Sequence, residues 1–261
     1  MLSSSSVAVI PVHNEAATIR DIVVAARQYV PVIVVDDASD DGSGRLAAVS
    51  GATVLTLPGR QGKGAALRRG FAEAIRRGVD TVVTLDGDAQ HDPRDIPRFL
   101  AASRQCPGSI VIGGRLQDRA GIPRHRFCAI RVASAWLNWL GDCQVRDTQS
   151  GYRVYPAALL RAVPLRRGGF LLESEILLKA RLMGFGIREL PIRAVYRPGQ
   201  KSRYRPLRDG ALAAAYLCYR SLCFWPIRLR RRLASRRGMH DLRWQQRTPP
   251  PELSHGQKGV V

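Results

Sequence analysis

Short apolar runs and longer segments of helical periodicity alternate along the first 115 residues. Residues 7–12, 32–35, 52–57, 79–85 and 109–113 are short and almost continuously apolar, and they predict strands buried on both faces. Between them, residues 14–28 carry Ile19, Ile22, Val23 and Ala26, and residues 64–77 carry Ala65, Leu67, Phe71, Ala74 and Ile75. Steps of three and four line such residues along one helix face. Pro93 suits the first turn of a further helix running to about Arg104. The alternation predicts an α/β fold: a mostly parallel sheet flanked by helices and joined by right-handed crossovers. Ligands of such sheets bind beyond the carboxyl ends of the strands.

The alternation stops at Gly114. Residues 124–140 read as an amphipathic helix containing Trp136 and Trp139, residues 147–153 as a polar loop, and residues 171–183 as a helix. Residues 187–195 predict an extended edge segment, and 211–224 a strongly apolar helix. The expected organisation is a domain over 1–206, an amphipathic and basic helical segment over 207–237, and a disordered tail over 238–261, where Pro and polar residues dominate.

Charge changes this picture at the C-terminal end. The chain carries a formal net charge of +20, and residues 193–247 hold fifteen Lys or Arg against two acids, Asp209 and Asp241. Such a block favours nucleic acid, an anionic membrane surface or phosphorylated ligands. The apolar run at 211–224 is short for a spanning helix and is interrupted by Arg220, which favours a helix lying in the membrane interface. No nucleic-acid module signature accompanies the charge, and its aromatic residues are not read as stacking platforms. The five cysteines match no zinc or redox spacing, so reduced thiols in the cytosol are expected. Residues 1–6 have neither a basic nor an apolar signal region, so no signal peptide is expected.

Candidate chemistry gathers at the strand ends. The run at 79–85 ends in Asp86-Gly87-Asp88. Two acids one residue apart would project to the same side of an extended backbone, and the glycine would let a ligand approach. Such a pair suits a hard divalent cation bridging to a diphosphate. Three more polar clusters follow the earlier strands: Pro11-Val12-His13-Asn14-Glu15, Asp36-Asp37-Ala38-Ser39-Asp40-Asp41-Gly42, and the loop from Gly59 to Gly64. Gly62-Lys63-Gly64 is no P-loop, since Leu57 and Gly64 stand where Gly and Ser or Thr belong.

Together with Gly113-Gly114-Arg115 and Asp147-Thr148-Gln149-Ser150-Gly151-Tyr152-Arg153, these motifs resemble the family 2 glycosyltransferases of GT-A fold over about residues 7–205. The likeness is greatest to the branch that glycosylates polyprenyl phosphates, typified by dolichyl-phosphate mannose synthase. The resemblance implies an inverting transfer from a UDP- or GDP-linked sugar to a lipid phosphate, on the cytoplasmic face of the membrane. It places Pro11, Val12, Asn14, Glu15, Asp37, Lys63, Asp86 and Gly87 at the nucleotide. Asp86 and Asp88, with Gln90 as a third contributor, would hold Mg²⁺ or Mn²⁺. Arg115, Gln149, Ser150, Arg197, Lys201 and Arg203 would serve the sugar and the acceptor phosphate, and Asp88, Arg115 and Glu175 the catalytic centre. A solvated loop lysine is the alternative for Lys63, and a helix N-terminal acid the alternative for Glu175.

Three other functions compete with this reading. The same fold could glycosylate a hydroxyl of a glycolipid, in which case Glu175 would be a general base. A basic nucleic-acid-binding protein is more remote. So is a sugar-nucleotide pyrophosphorylase, whose glycine-rich loop would follow the first strand where Pro-Val-His-Asn-Glu stands here.

Overall fold

A computed structural model of the chain describes residues 5–116, 124–141, 143–165, 169 and 171–193. Seven strands form one mixed sheet: β1 (Ser6–Val12), β2 (Val32–Asp36), β3 (Thr53–Thr56), β4 (Thr81–Thr84), β5 (Ser109–Gly114), β6 (Arg153–Pro156) and β7 (Gly186–Pro191). Their order is β3-β2-β1-β4-β6-β5-β7. The first four strands are parallel to one another, as are β5 and β7. Only β6 runs against its neighbours, between β4 and β5. The helices are α1 (Ile19–Arg27), α2 (Ser43–Val49), α3 (Lys63–Arg76), α4 (Ile96–Gln105), α5 (Arg124–Gly141), α6 (Ala157–Ala162) and α7 (Leu171–Leu182).

Alternate residues of each central strand enter two cores, one on each face of the sheet. Val7, Val9, Ile33, Val35, Val82, Ile110 and Ile112 pack with α3, α6 and α7 on one side. Ala8, Ile10, Val32, Val34, Val83 and Val111 pack with α1 and α4 on the other. Burial on both faces is why these strands read as continuous apolar runs. Helix α3 lies unusually close to the sheet: a Cβ at Gly70 would stand 2.3 Å from Val9 Cγ1.

The structure corrects the sequence reading in four places. The helix expected over 14–28 starts only at Ile19, because Asn14 is left-handed at φ 54° and the chain first turns through Glu15 and Thr18. The pair Asp86 and Asp88 does not extend a strand. β4 ends at Thr84, and residues after it fold into a turn with Ala89 at φ 58°. Part of the expected polar loop, from Arg153, is the antiparallel strand β6. Helices α2 and α6 fall where the sequence pattern predicts none. The apolar helix at 211–224, the segments 207–237 and 238–261, and Arg197, Lys201 and Arg203 lie outside the described residues. Among the described residues, no helix is long and apolar enough to cross a membrane.

Candidate active site

The loops after β1, β2 and β4 meet at one edge of the sheet, and hydrogen bonds from short polar side chains stitch them together. Asn14 Oδ1 accepts from the Asp40 amide at 3.0 Å, and the Asn14 amide donates to Ser39 Oγ at 3.0 Å. The Glu15 amide donates to Ser43 Oγ at 2.7 Å. Thr18 Oγ1 donates to the Gly87 carbonyl at 2.6 Å, which ties the first loop to the acid turn. Gly87 is needed for this closeness, since a Cβ there would stand 3.0 Å from Val12 Cγ2 and 3.5 Å from the Pro11 carbonyl. Its smallness serves packing against Pro11 and Val12. Among the described residues, the non-glycine residues at positive φ are Asn14, Ala38 and Ala89, one in each loop. Strain of this kind gathers at functional edges.

Asp37 has a more specific task than the sequence reading gave it. Its two carboxylate oxygens accept from the Gln61 and Gly62 amides at 2.6 and 2.8 Å. The loop that starts α3 is thereby fixed, and with it the backbone of Lys63. The Lys63 ammonium reaches Asp86 Oδ1 at 2.7 Å and Glu173 Oε1 at 3.3 Å. Burial opposes the charge on Lys63, but Asp86 and Glu173 outweigh it and raise its pKa. Burial likewise raises the Asp86 carboxyl, and the Lys63 ammonium more than reverses this, holding it at about 2. Asp86 also packs closely on Gly151, where a Cβ would lie 2.4 Å from its Oδ2. Lys63 is therefore a partner of the acid cluster and no solvated loop lysine.

Asp88 accepts from the Gln90 amide at 3.1 Å and from Gln90 Nε2 at 2.7 Å. Asp86, Asp88 and the Gln90 side-chain oxygen offer hard oxygen donors. Among the described residues, no group of three or more His, Cys, Asp or Glu could cage a metal alone. Mg²⁺ typically takes only one or two carboxylates and completes its shell with substrate phosphates and water. The donor set thus fits a cation that arrives with a diphosphate.

A second charged assembly stands behind the first. Arg115 grips Asp147 through Nε and Nη2 at 2.6 and 3.0 Å, and both residues are buried. Asp147 is pushed up by burial and pulled further down by Arg115, so its pKa is lowered. Asp147 also receives the Gln149 amide at 3.1 Å. Gln149 is half-buried, whereas Ser150 is buried and its hydroxyl accepts from the Tyr152 amide. Beneath them Arg153, 0 % exposed, donates to the carbonyls of Thr148, Ser150 and Glu173. It joins the loop over Asp86 to the first turn of α7.

Glu175, expected in the catalytic centre, is buried and pairs with Lys179 at 2.8 Å. The acid of α7 that pairs with Lys63, the partner of Asp86, is Glu173. Two residues along a helix turn the side chain by roughly 200°, so Glu173 and Glu175 leave α7 on opposite sides. The sequence showed both acids without showing which side faces the sheet edge. His91 was also missed. Its ring lies against Tyr152, Nδ1 accepts from the Asp86 amide at 3.5 Å, and Nε2 is buried without a partner.

The profile of Glycosyl transferase family 2 matches residues 7–141. The undecaprenyl-phosphate mannosyltransferase of Micrococcus luteus is 31% identical over 208 residues, covering 72% of this chain and 83% of that protein. The polyprenol monophosphomannose synthase of Mycolicibacterium smegmatis is 28% identical over 199 residues, covering 70% and 75%. Among solved structures, glucosyl-3-phosphoglycerate synthase of Mycobacterium tuberculosis, in complex with Mn²⁺, UDP and phosphoglyceric acid, superposes with a TM-score of 0.65. It is 24% identical, covering 92% of this chain and 80% of that one.

Proposed function

This chain belongs to glycosyl transferase family 2, and from that premise we propose that it transfers a sugar, with inversion, from a nucleotide sugar to a polyprenyl phosphate. The observation that carries the proposal is the acid pair Asp86 and Asp88 at the carboxyl edge of the parallel strands, beside the Lys63 and Arg115 assemblies. The names of the two relatives, both lipid-phosphate mannosyl transferring proteins, support the acceptor class. The Mn²⁺ and UDP in the complex of the mycobacterial synthase support a metal-bound diphosphate in this fold.

In this reading the loops at Pro11–Glu15 and Asp37 shape the nucleoside pocket, and Asp86, Asp88 and Gln90 hold Mg²⁺ or Mn²⁺. The ion, when bound, neutralises the donor diphosphate and stabilises it as it leaves. Arg115, fixed by Asp147, and the basic residues Arg197, Lys201 and Arg203 offset the repulsion between an anionic acceptor and an anionic donor. A lipid phosphate is already ionised near neutral pH and needs no base. The α7 acids agree with this, since Glu173 and Glu175 are each engaged by a lysine. The enzyme would work peripherally on the cytoplasmic face of the membrane, where its lipid acceptor lies.

The test offers the full-length protein a panel of UDP- and GDP-linked sugars with Mn²⁺, and either a short polyprenyl phosphate or the matching polyprenol. Mass spectrometry should show glycosylation of the phosphate alone, abolished by chelation. Glu175→Gln should keep more than about a tenth of kcat, an effect below roughly 1.4 kcal/mol. Glycosylated polyprenol with the phosphate untouched, together with a dead Glu175→Gln enzyme, would establish the hydroxyl reading instead.

A further inference from the structure

Three charges share the floor of the site: the Asp86 carboxylate, the Lys63 ammonium 2.7 Å from it, and the Glu173 carboxylate 3.3 Å from the same ammonium. Their side chains are 27%, 20% and 7% exposed. We propose that Lys63 is an internal counter-cation that occupies Asp86 while no metal diphosphate is bound and passes to Glu173 when one arrives. The inference rests on the reading of Asp86 and Asp88 as metal ligands and adds a device that governs when they bind.

The geometry decides which partner moves. On one side Asp86 lies so close to Gly151 that a methyl group there would not fit, so its carboxylate has little room to move in that direction. The backbone of Lys63 is also restrained, because Asp37 holds the two preceding amides. What remains mobile is the four-carbon stem of Lys63. A divalent ion and an ammonium on one carboxylate repel strongly at such range, so an ion approaching Asp86 displaces Lys63. Glu173 is the destination at hand. It already lies close to contact with the ammonium, and its buried charge needs a cation. The buried Arg153 guanidinium adds positive potential around Lys63, which further opposes a second cation in the absence of the diphosphate's negative charge. The consequence is order: a bare ion binds poorly, and an ion carried by a nucleoside diphosphate brings the negative charge that offsets the displaced lysine.

The experiment titrates Mn²⁺ alone into the nucleotide-free, full-length protein and reads free Mn²⁺ by electron paramagnetic resonance. Lys63→Met should bind Mn²⁺ about tenfold more tightly than the natural protein, the order expected when a unit charge at contact range is removed. Lys63→Arg should stay within about threefold of the natural protein, because the counter-cation is restored. Glu173→Gln should weaken binding, because Lys63 then loses the carboxylate to which it would pass. In the double variant the Glu173→Gln effect should vanish, since Glu173 acts through Lys63. Should Lys63→Met fail to fold, Lys63→Gln takes its place in both the single and the double variant. Mn²⁺ affinity unchanged by loss of the ammonium would overturn the proposal. So would a Glu173→Gln effect that persists undiminished in the double variant, which would mean that Glu173 attracts the ion directly. Asp88→Asn separates the premise from the inference: if it leaves Mn²⁺ binding intact, the metal reading itself falls.

Discussion

At the scale of single residues, His91 ties the acid turn to the protein's response to pH. Its ring is buried between Asp86 and Tyr152, and burial above all holds its pKa down at about 4. In the unfolded chain a histidine takes up its proton near pH 6.5. Between those values the unfolded state holds the extra proton, so acidification favours unfolding. The natural protein should therefore lose about 2 kcal/mol more stability than His91→Asn between pH 7 and pH 5. Denaturant melts in the presence of a chelator measure this, and parallel pH profiles would show that His91 does not titrate as argued. Asparagine keeps an acceptor near the Nδ1 position, so the acid turn should survive. Asp88→Ala should abolish transfer while leaving the melt unchanged. A variant retaining more than about a tenth of kcat would remove Asp88 from the centre. Residues such as Asn14, Asp86 and Asp88 were legible in the sequence because each sits in a loop directly after an apolar run. The roles of Arg153 and Glu173 were not, because they depend on partners distant in the chain: Arg153 reaches the Glu173 carbonyl, and Glu173 reaches Lys63.

At the scale of elements, the site depends on how closely α3 lies on β1 and β2. Its N-terminus carries Lys63, and its middle is held against the sheet at Gly70. A Cβ there would stand 2.3 Å from Val9 Cγ1 and 3.1 Å from Val35 Cγ2, so the helix must lift or a buried valine must move. Gly70→Ala should cost roughly 1–3 kcal/mol through overpacking. Gly59→Ala, where nothing stands within 4 Å of the added carbon, should be close to neutral. A neutral Gly70→Ala in urea melts would show that the helix has room to spare. The parallel strands and their crossover helices were legible, because burial on both faces writes an uninterrupted apolar run and helical packing writes a three-to-four spacing. Strand β6 was hidden for the opposite reason. It is four residues long, begins with a buried arginine and ends with a proline, and only its neighbours β4 and β5 make it a strand. The acid turn was read as extended because sequence shows carboxylate spacing but gives little sign of the left-handed alanine that follows.

At the scale of the whole molecule, the question is how a protein with no spanning helix among its described residues reaches a lipid. Helix α5 presents apolar surface, with Val132 64% and Trp139 43% exposed. The proposed answer is charge. The net +20 is concentrated in residues 193–247, with Arg228, Arg230, Arg231 and Arg232 forming its densest cluster. Each basic residue near an anionic bilayer contributes about 1 kcal/mol, and the attraction decays within about 8 Å at physiological salt. Several such residues acting together hold a protein on the surface without burying any part of it across the hydrocarbon. The full-length protein should therefore float with vesicles containing phosphatidylglycerol and stay in solution with purely zwitterionic ones. High salt or carbonate should release it, as neither would release a spanning helix. Replacing all four of these arginines by glutamine should weaken flotation on the anionic vesicles and leave transfer to a short, water-soluble polyprenyl phosphate largely intact, if the cluster serves recruitment to the surface and not the chemistry. Equal flotation on both kinds of vesicle, or retention through carbonate, would show that apolar insertion rather than charge holds this enzyme to its acceptor.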